Sequence, residues 1–195
     1  MIKKIMFHKT YITVMMIVVL GLVGSAYVGY NKMHGKITHV YLTEEINMKT
    51  VMPAITALNE AKTGDTIVLH IESPGGSVMA GDVLIDAMQG TKGKTVTVVK
   101  MYAASMAALI TLYGQEKDIN PNALFIFHEY QLMGMPLGPN QTSPDLKLIR
   151  AQFEAQFNEV VAPVLTQVQE AAVNEGLDVV VSGEQINEAL KKGGI

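Results

Sequence analysis

The sequence predicts an α/β domain on a mostly parallel sheet, preceded by one membrane-crossing helix. Three observations predict it. From residue 38 onward, short continuous apolar runs alternate with segments of helical periodicity. The composition, 49% hydrophobic and 17% charged, is that of a folded chain. Near the start, Lys3, Lys4 and Lys9 precede Tyr11–Tyr30, a run of 20 residues without a charge.

That run reaches about 30 Å as a helix, the thickness of a bilayer core. Its basic flank predicts a cytoplasmic N-terminus and an exported remainder. A signal peptide cleaved near Gly24-Ser25-Ala26 is the competing reading. The run is long for a signal peptide, and it continues through Tyr27, Val28 and Tyr30. The expected organisation is a basic cytoplasmic segment (1–10), a transmembrane helix or signal anchor (11–30), a polar linker (31–37) and one domain (38–195).

The elements follow in order. Thr38–Leu42 reads as a strand, and Lys49–Ala61 as an amphipathic helix with Val51, Ile55 and Leu58 inward. Thr63-Gly64-Asp65 turns the chain into the apolar strand Thr66–Ile71. Gly81–Gln89 reads as a helix, Thr95–Lys100 as a β-branched strand and Met106–Tyr113 as an apolar helix. Leu124–Phe127 is a buried strand ending at His128, and Gly134–Pro144 an irregular loop. Pro144–Asn174 reads as one long helix that Pro163 kinks or interrupts. Asp178–Val181 is a short strand, and Ser182-Gly183-Glu184-Gln185 opens a last helix over Gly183–Lys192. Such a parallel sheet is expected to be covered on both faces, with functional loops at the carboxyl ends of its strands.

Bulk properties exclude several classes. The net charge of −3, with no Lys/Arg cluster after the first ten residues, argues against a nucleic-acid partner. With no cysteine there is no disulfide, thiolate nucleophile or zinc–thiolate site. Gly76-Ser-Val-Met-Ala-Gly81 has Walker-like glycine spacing, but Asp82-Val83 stands where Lys-Ser/Thr is needed. Gly93-Lys94-Thr95 lacks the earlier glycine, which is Met88 here. No metal spacing and no cofactor motif is evident.

Ser105 carries the strongest chemical signal. It sits in Met101-Tyr-Ala-Ala-Ser-Met-Ala-Ala108, between an apolar strand and an apolar helix. A strand-to-helix turn lifts a hydroxyl out of the sheet and leaves the following N–H groups unpaired. A serine needs a base, and His128 stands at a strand end with a loop after it. Glu129, Asp145 and Asp178 are candidates to orient the imidazole. Gly75-Gly76 lets a substrate backbone lie close and can aim an N–H into the site. An N–H of that glycine pair and the N–H of Met106 would then make the two halves of an oxyanion hole. Ser73 and Ser77 are rival nucleophiles, but Ser73 precedes a proline and Ser77 suits a helix cap.

At these residues the chain resembles the proteolytic subunit of the Clp (caseinolytic) protease, of the Clp protease/crotonase fold. The segments that carry the likeness are Ile71–Gly81, Asp86–Gln89, Ala103–Met106, Asn122–His128, Met135–Gly138 and Asp178–Ser182. The resemblance runs from about Thr38 to Ile195. It implies a serine-type endopeptidase with a Ser105–His128–Asp178 triad. It also implies Gly76 and Met106 as the oxyanion hole, with Gly75, Pro136 and Leu137 against the substrate. The implied substrate is a peptide or unfolded protein. The implied assembly is a homo-oligomeric ring served by an ATP-dependent unfoldase.

The chain departs from the family pattern at several points. Met101 and Ala107 stand where glycines are usual, and Glu129-Tyr130 where Gln-Pro is usual. The apolar run replaces the family's pore-gating segment, which argues against unfoldase docking and a double heptamer. Lys100 invites the serine–lysine dyad of signal peptide peptidase A, but it lies too close to Ser105 in sequence. Two other functions compete. One is a crotonase-like acyl-thioester enzyme, which needs acid–base carboxylates in the pocket. The other is a non-catalytic oligomeric scaffold, which has no use for a Ser–His pair.

Overall fold

In a computed structural model, residues 15–27, 29, 35–128, 131–132, 135–136 and 143–193 are described. A first helix, α1, covers residues 15–27. Its large apolar side chains are exposed, among them Ile17, Leu20 and Leu22. The expected membrane-crossing helix is not borne out. No helix among the described residues is long and apolar enough to cross a bilayer, and residues 11–14, 28 and 30 lie outside them.

Four parallel strands form the main sheet in the order β1 (Ile37–Leu42), β2 (Thr66–Ile71), β3 (Lys94–Val99), β5 (Glu116–Ile119). Helices α2 (Met48–Glu60) and α3 (Val78–Gly90) make the crossovers. α2 starts where Asn47 accepts the N–H groups of Lys49 and Thr50 and Thr50 Oγ1 accepts the N–H of Asn47. Its apolar stripe, Val51, Ala54, Ile55 and Leu58, is buried. α3 begins three residues earlier than its apolar pattern suggests, because Ser77 caps it by accepting the N–H of Ala80.

A second sheet has the order β4 (Tyr102–Ala104), β6 (Leu124–Phe127), β9 (Val179–Ser182). β4 and β5 are absent from the sequence reading. β4 is three residues long and merges with the strand before it, and β5 (Glu-Lys-Asp-Ile) carries too much charge to read as a strand. Between β4 and β5 runs α4 (Met106–Leu112), buried at every residue. Leu42, Leu58, Leu69, Leu84, Ile110 and Phe125 form the centre of one core that joins both sheets. A fully buried side chain of this size contributes about 1.5–3 kcal/mol.

The expected long helix is interrupted. α5 (Pro144–Gln156) passes into a π-helical turn, Phe157–Val161, and a 3-10 turn, Ala162–Val164. α6 (Gln167–Asn174) restarts behind its own capping box at Thr166 and Gln169. Pro163 has no N–H to continue the ladder, so the break falls where the sequence places it. The π turn is tied to the core helices by side chains. Gln156 Nε2 donates to Asp82 Oδ1 at 3.0 Å, and the Tyr113 hydroxyl donates to Glu159 Oε2 at 3.1 Å. Burial raises the Asp82 carboxyl above the ordinary range, and burial together with Glu159 pushes the Tyr113 hydroxyl up to about 12. Ser182 caps α7 (Gly183–Lys191).

Among the described residues, one face of the main sheet carries exposed side chains. Ile37 is 62% and Tyr41 65% exposed, and His39 and His70 share their side of the sheet. Burial, then the neighbouring His39, holds the His70 imidazole below its ordinary value.

Candidate active site

The three-stranded sheet sets the geometry of the site. β4 runs parallel to β6, pairing Ala104 with Ile126, and the Ser105 N–H continues the ladder by donating to the Ile126 carbonyl at 2.8 Å. β9 runs antiparallel to β6, pairing Phe127 with Val179. The pairing ends there, and His128 and Asp178 each stand one residue beyond that last pair. So Ser105 follows β4, His128 follows β6 and Asp178 precedes β9, all at one end of one sheet. His128 is half-buried and engaged in an interaction of its own, and Asp178 is exposed. The strand expected to begin at Asp178 begins at Val179.

Ser105 has φ 52 and ψ −125, and among the described residues no other non-glycine has positive φ. An L-residue held there costs on the order of 1–2 kcal/mol. The turn breaks the strand's side-to-side alternation at the residue whose hydroxyl must leave the sheet. The Ser105 side chain does not cap α4, so its oxygen is not committed to the helix it heads. The Met106 N–H is the first donor of α4 and has no partner within the helix.

Gly75 and Gly76 have φ 91 and 144. A Cβ on Gly75 would stand 2.6 Å from the Ala104 carbonyl oxygen, 2.7 Å from Ser105 Cβ and 3.0 Å from the Met106 nitrogen. The glycine loop therefore lies directly against the serine turn. Gly76 is fixed from the other side. Ile46 donates to the Gly75 carbonyl at 2.7 Å and accepts from the Ser77 N–H at 2.7 Å. Those two bonds straddle Gly76, so its own N–H faces away from Ile46. A Cβ on Gly76 would collide with the Ile46 carbonyl. Ile46 is thus a positioning residue with no chemistry of its own, and only its burial could have signalled it.

The rival serines have structural posts. Ser73 is fully buried; its hydroxyl donates to the Glu44 carbonyl at 2.6 Å and accepts the Gly75 N–H at 3.2 Å. Its carbonyl accepts the Ala104 N–H at 3.0 Å, which joins the glycine loop to β4. Ser77 caps α3, as its position suggested. Lys100 lies at the far end of β4 from Ser105 and pairs with Asp118 at 2.7 Å.

Met106 also anchors the turn through its side chain, which sits over Gly81 of α3 where a Cβ would overlap it. Pro136 lies in β8 (Met135–Pro136), paired antiparallel with β7 (Gln131–Leu132) just after His128. Leu137 and Glu129 lie outside the described residues, and Asp145 opens α5. Among the described residues no group of three or more His, Asp or Glu side chains gathers to hold a metal.

A strained serine at a strand-to-helix turn, with a histidine and an aspartate at the same end of the sheet and glycine backbone against it, suits nucleophilic attack on a carbonyl. The model of the family described as Clp protease matches residues 25–162. The ATP-dependent Clp protease proteolytic subunit of Leuconostoc citreum is 38% identical over 101 residues, 49% of this chain and 49% of that protein. The subunit of the same name from Streptococcus mutans is 35% identical over 102 residues, 51% of each chain. That of Streptococcus uberis is 31% identical over 112 residues, 56% of each. The chain spans about half the length of the curated relatives it matches. With its family model covering the larger part of the sequence, the chain belongs to the Clp protease family.

Proposed function

We propose that the protein is a serine peptidase that cleaves peptide bonds through an acyl-enzyme on Ser105. The observation that carries the reading is the strained backbone of Ser105 at the end of the sheet shared with His128 and Asp178. The Ser105 hydroxyl oxygen bonds to the scissile carbonyl carbon as His128 takes its proton. Asp178 holds the imidazole in the tautomer that can accept. The carbonyl oxygen gains charge against the N–H groups of Gly76 and Met106. The C–N bond then breaks, and the amine leaves with the proton from His128. Water, deprotonated by the same histidine, releases the acid and restores Ser105. The family resemblance assigns Gly75, Pro136 and Leu137 to the substrate.

Membrane attachment belongs to the same reading. The uncharged run Tyr11–Tyr30 and the exposed apolar side chains of α1 support an anchor with a cytoplasmic N-terminus. Export after cleavage near Ala26 is the alternative, and the mass of the mature protein separates the two. The relatives' names carry an ATP-dependent activity, and family membership supports a ring of copies with an unfoldase partner.

The test uses the full chain in detergent with short fluorogenic peptides. Wild type should hydrolyse them, and Ser105→Ala should lower the rate by at least about 10³-fold. An unchanged rate in folded Ser105→Ala would overturn the assignment.

A further inference from the structure

Among the described residues, Gln156 Oε1 is the one buried side-chain oxygen or nitrogen with no hydrogen-bond partner. Gln156 closes α5, where that helix passes into the π turn Phe157–Val161. The other atom of its amide, Nε2, donates to Asp82 Oδ1 of α3 at 3.0 Å. Asp82 is half-buried, and it follows Gly81, over which the Met106 side chain sits. The contact therefore ties the π turn to the helix on which the serine turn rests. Beside it the Tyr113 hydroxyl, at the end of α4, donates to Glu159 Oε2 of the π turn.

The orphaned oxygen has a chemical meaning. A side-chain amide donates from its nitrogen and accepts at its oxygen, whereas an ionised carboxylate only accepts. Against a carboxylate, such an amide satisfies its nitrogen and leaves its oxygen bare. Turning the amide over only moves the deficit to the nitrogen. A carboxylic acid meets both needs. One of its oxygens accepts the amide N–H, and the other donates its O–H to the amide oxygen, closing a ring of two hydrogen bonds. We propose that Asp82 and Gln156 form a proton-operated latch between α3 and the π turn, closed by two hydrogen bonds when the carboxyl carries its proton and held by one when it is ionised.

The surroundings favour the closed form. Burial raises the Asp82 carboxyl above its ordinary value; the Gln156 hydrogen bond works against that rise, and Asp86, one turn along α3, works with it. Across the junction the ionisable neighbours are Tyr113 at the end of α4 and Glu159 of the π turn. Ionisation removes the second bond and leaves a buried oxygen bare, so the latch loosens as pH rises through the Asp82 titration. π turns inside helices recur at functional sites, and the hold of this one on α3 is set by a single proton.

The experiment uses the full chain in detergent, from about pH 4 to 7. Hydrogen exchange over Gln156–Val161 is measured and corrected for the intrinsic pH dependence of exchange. The Asp82 carboxyl carbon is followed by nuclear magnetic resonance. In wild type, exchange should quicken about three- to tenfold as Asp82 loses its proton. Asp82→Asn copies the protonated acid, because its amide both donates and accepts, and should keep exchange slow at every pH. Gln156→Leu removes both bonds and should give fast exchange at every pH. A step of the wild-type size in folded Asp82→Asn, or no step in wild type at the Asp82 midpoint, would overturn the proposal. Should the variants fail to fold, wild type decides alone. The Gln156 side-chain amide signals must then move with the Asp82 midpoint, and their staying put would overturn the proposal.

Discussion

Gly75→Ala is the substitution that tests the contact between the glycine loop and the serine turn. Two costs add. An alanine at φ 91 sits in the left-handed region, at about 1–2 kcal/mol. Its methyl would also lie 2.6 Å from the Ala104 carbonyl oxygen and 2.7 Å from Ser105 Cβ. One contact is backbone and the other the root of the nucleophile, so relief requires moving the end of β4. Overpacking of this kind costs about 1–3 kcal/mol. The sum is about 2–5 kcal/mol of stability. Gly90→Ala is the control: nothing lies within 4 Å of its added methyl, its φ is not positive, and it ends α3. That change should be neutral or stabilise by up to about 1 kcal/mol. Urea denaturation gives both numbers, and the labelling rate with a fluorophosphonate probe reports the turn. If Gly75→Ala matches Gly90→Ala in stability and labels at the wild-type rate, the glycine loop does not shape the serine turn.

Three further outcomes are expected. Ser105→Gly should be more stable than Ser105→Ala by about 1–2 kcal/mol, because glycine relieves the positive φ; denaturation midpoints in the reverse order would contradict strain at the turn. Ser73→Ala removes a buried hydroxyl bonded to Glu44 and Gly75 and should cost about 1–3 kcal/mol, while the protein still labels at Ser105. Labelling lost together with Ser73 in a folded protein would point to the wrong serine. Asp82 carries a raised carboxyl, so between its ordinary and its raised value the folded chain binds more protons than the unfolded chain. Stability should therefore fall as pH rises through that window, and Asp82→Asn should remove that fall. Equal slopes in the two proteins, measured by denaturant midpoints from about pH 4 to 7, would contradict it.

Much of the site was legible because its residues mark local events. Ser105 reads as a strand-to-helix turn, Ser77 as a cap and Pro163 as a break, each from its own neighbours. Asp178 is one of three candidate carboxylates in the sequence, and only the family resemblance favours it. Its place beside the start of β9 depends on the β6–β9 register, a pairing across some fifty residues that no local pattern encodes. β5 is hidden in the sequence by its own local composition. Lys117 and the exposed Glu116 and Asp118 mask a strand held by its ladder to β3, and Lys94 and Lys100 pair with its two acids. Ile46 and the Asp82–Gln156 pair are likewise products of tertiary placement. The apolar start of the chain reads clearly by composition, yet the described part of α1 falls short of a bilayer-spanning helix.

The most direct measurement is to map the adduct. The full chain is treated with a fluorophosphonate, digested and sequenced by mass spectrometry, alongside His128→Ala. A single adduct on Ser105, strongly slowed in His128→Ala, is the predicted result. An adduct on a different serine, or Ser105 labelling at the same rate without the imidazole, would contradict the account.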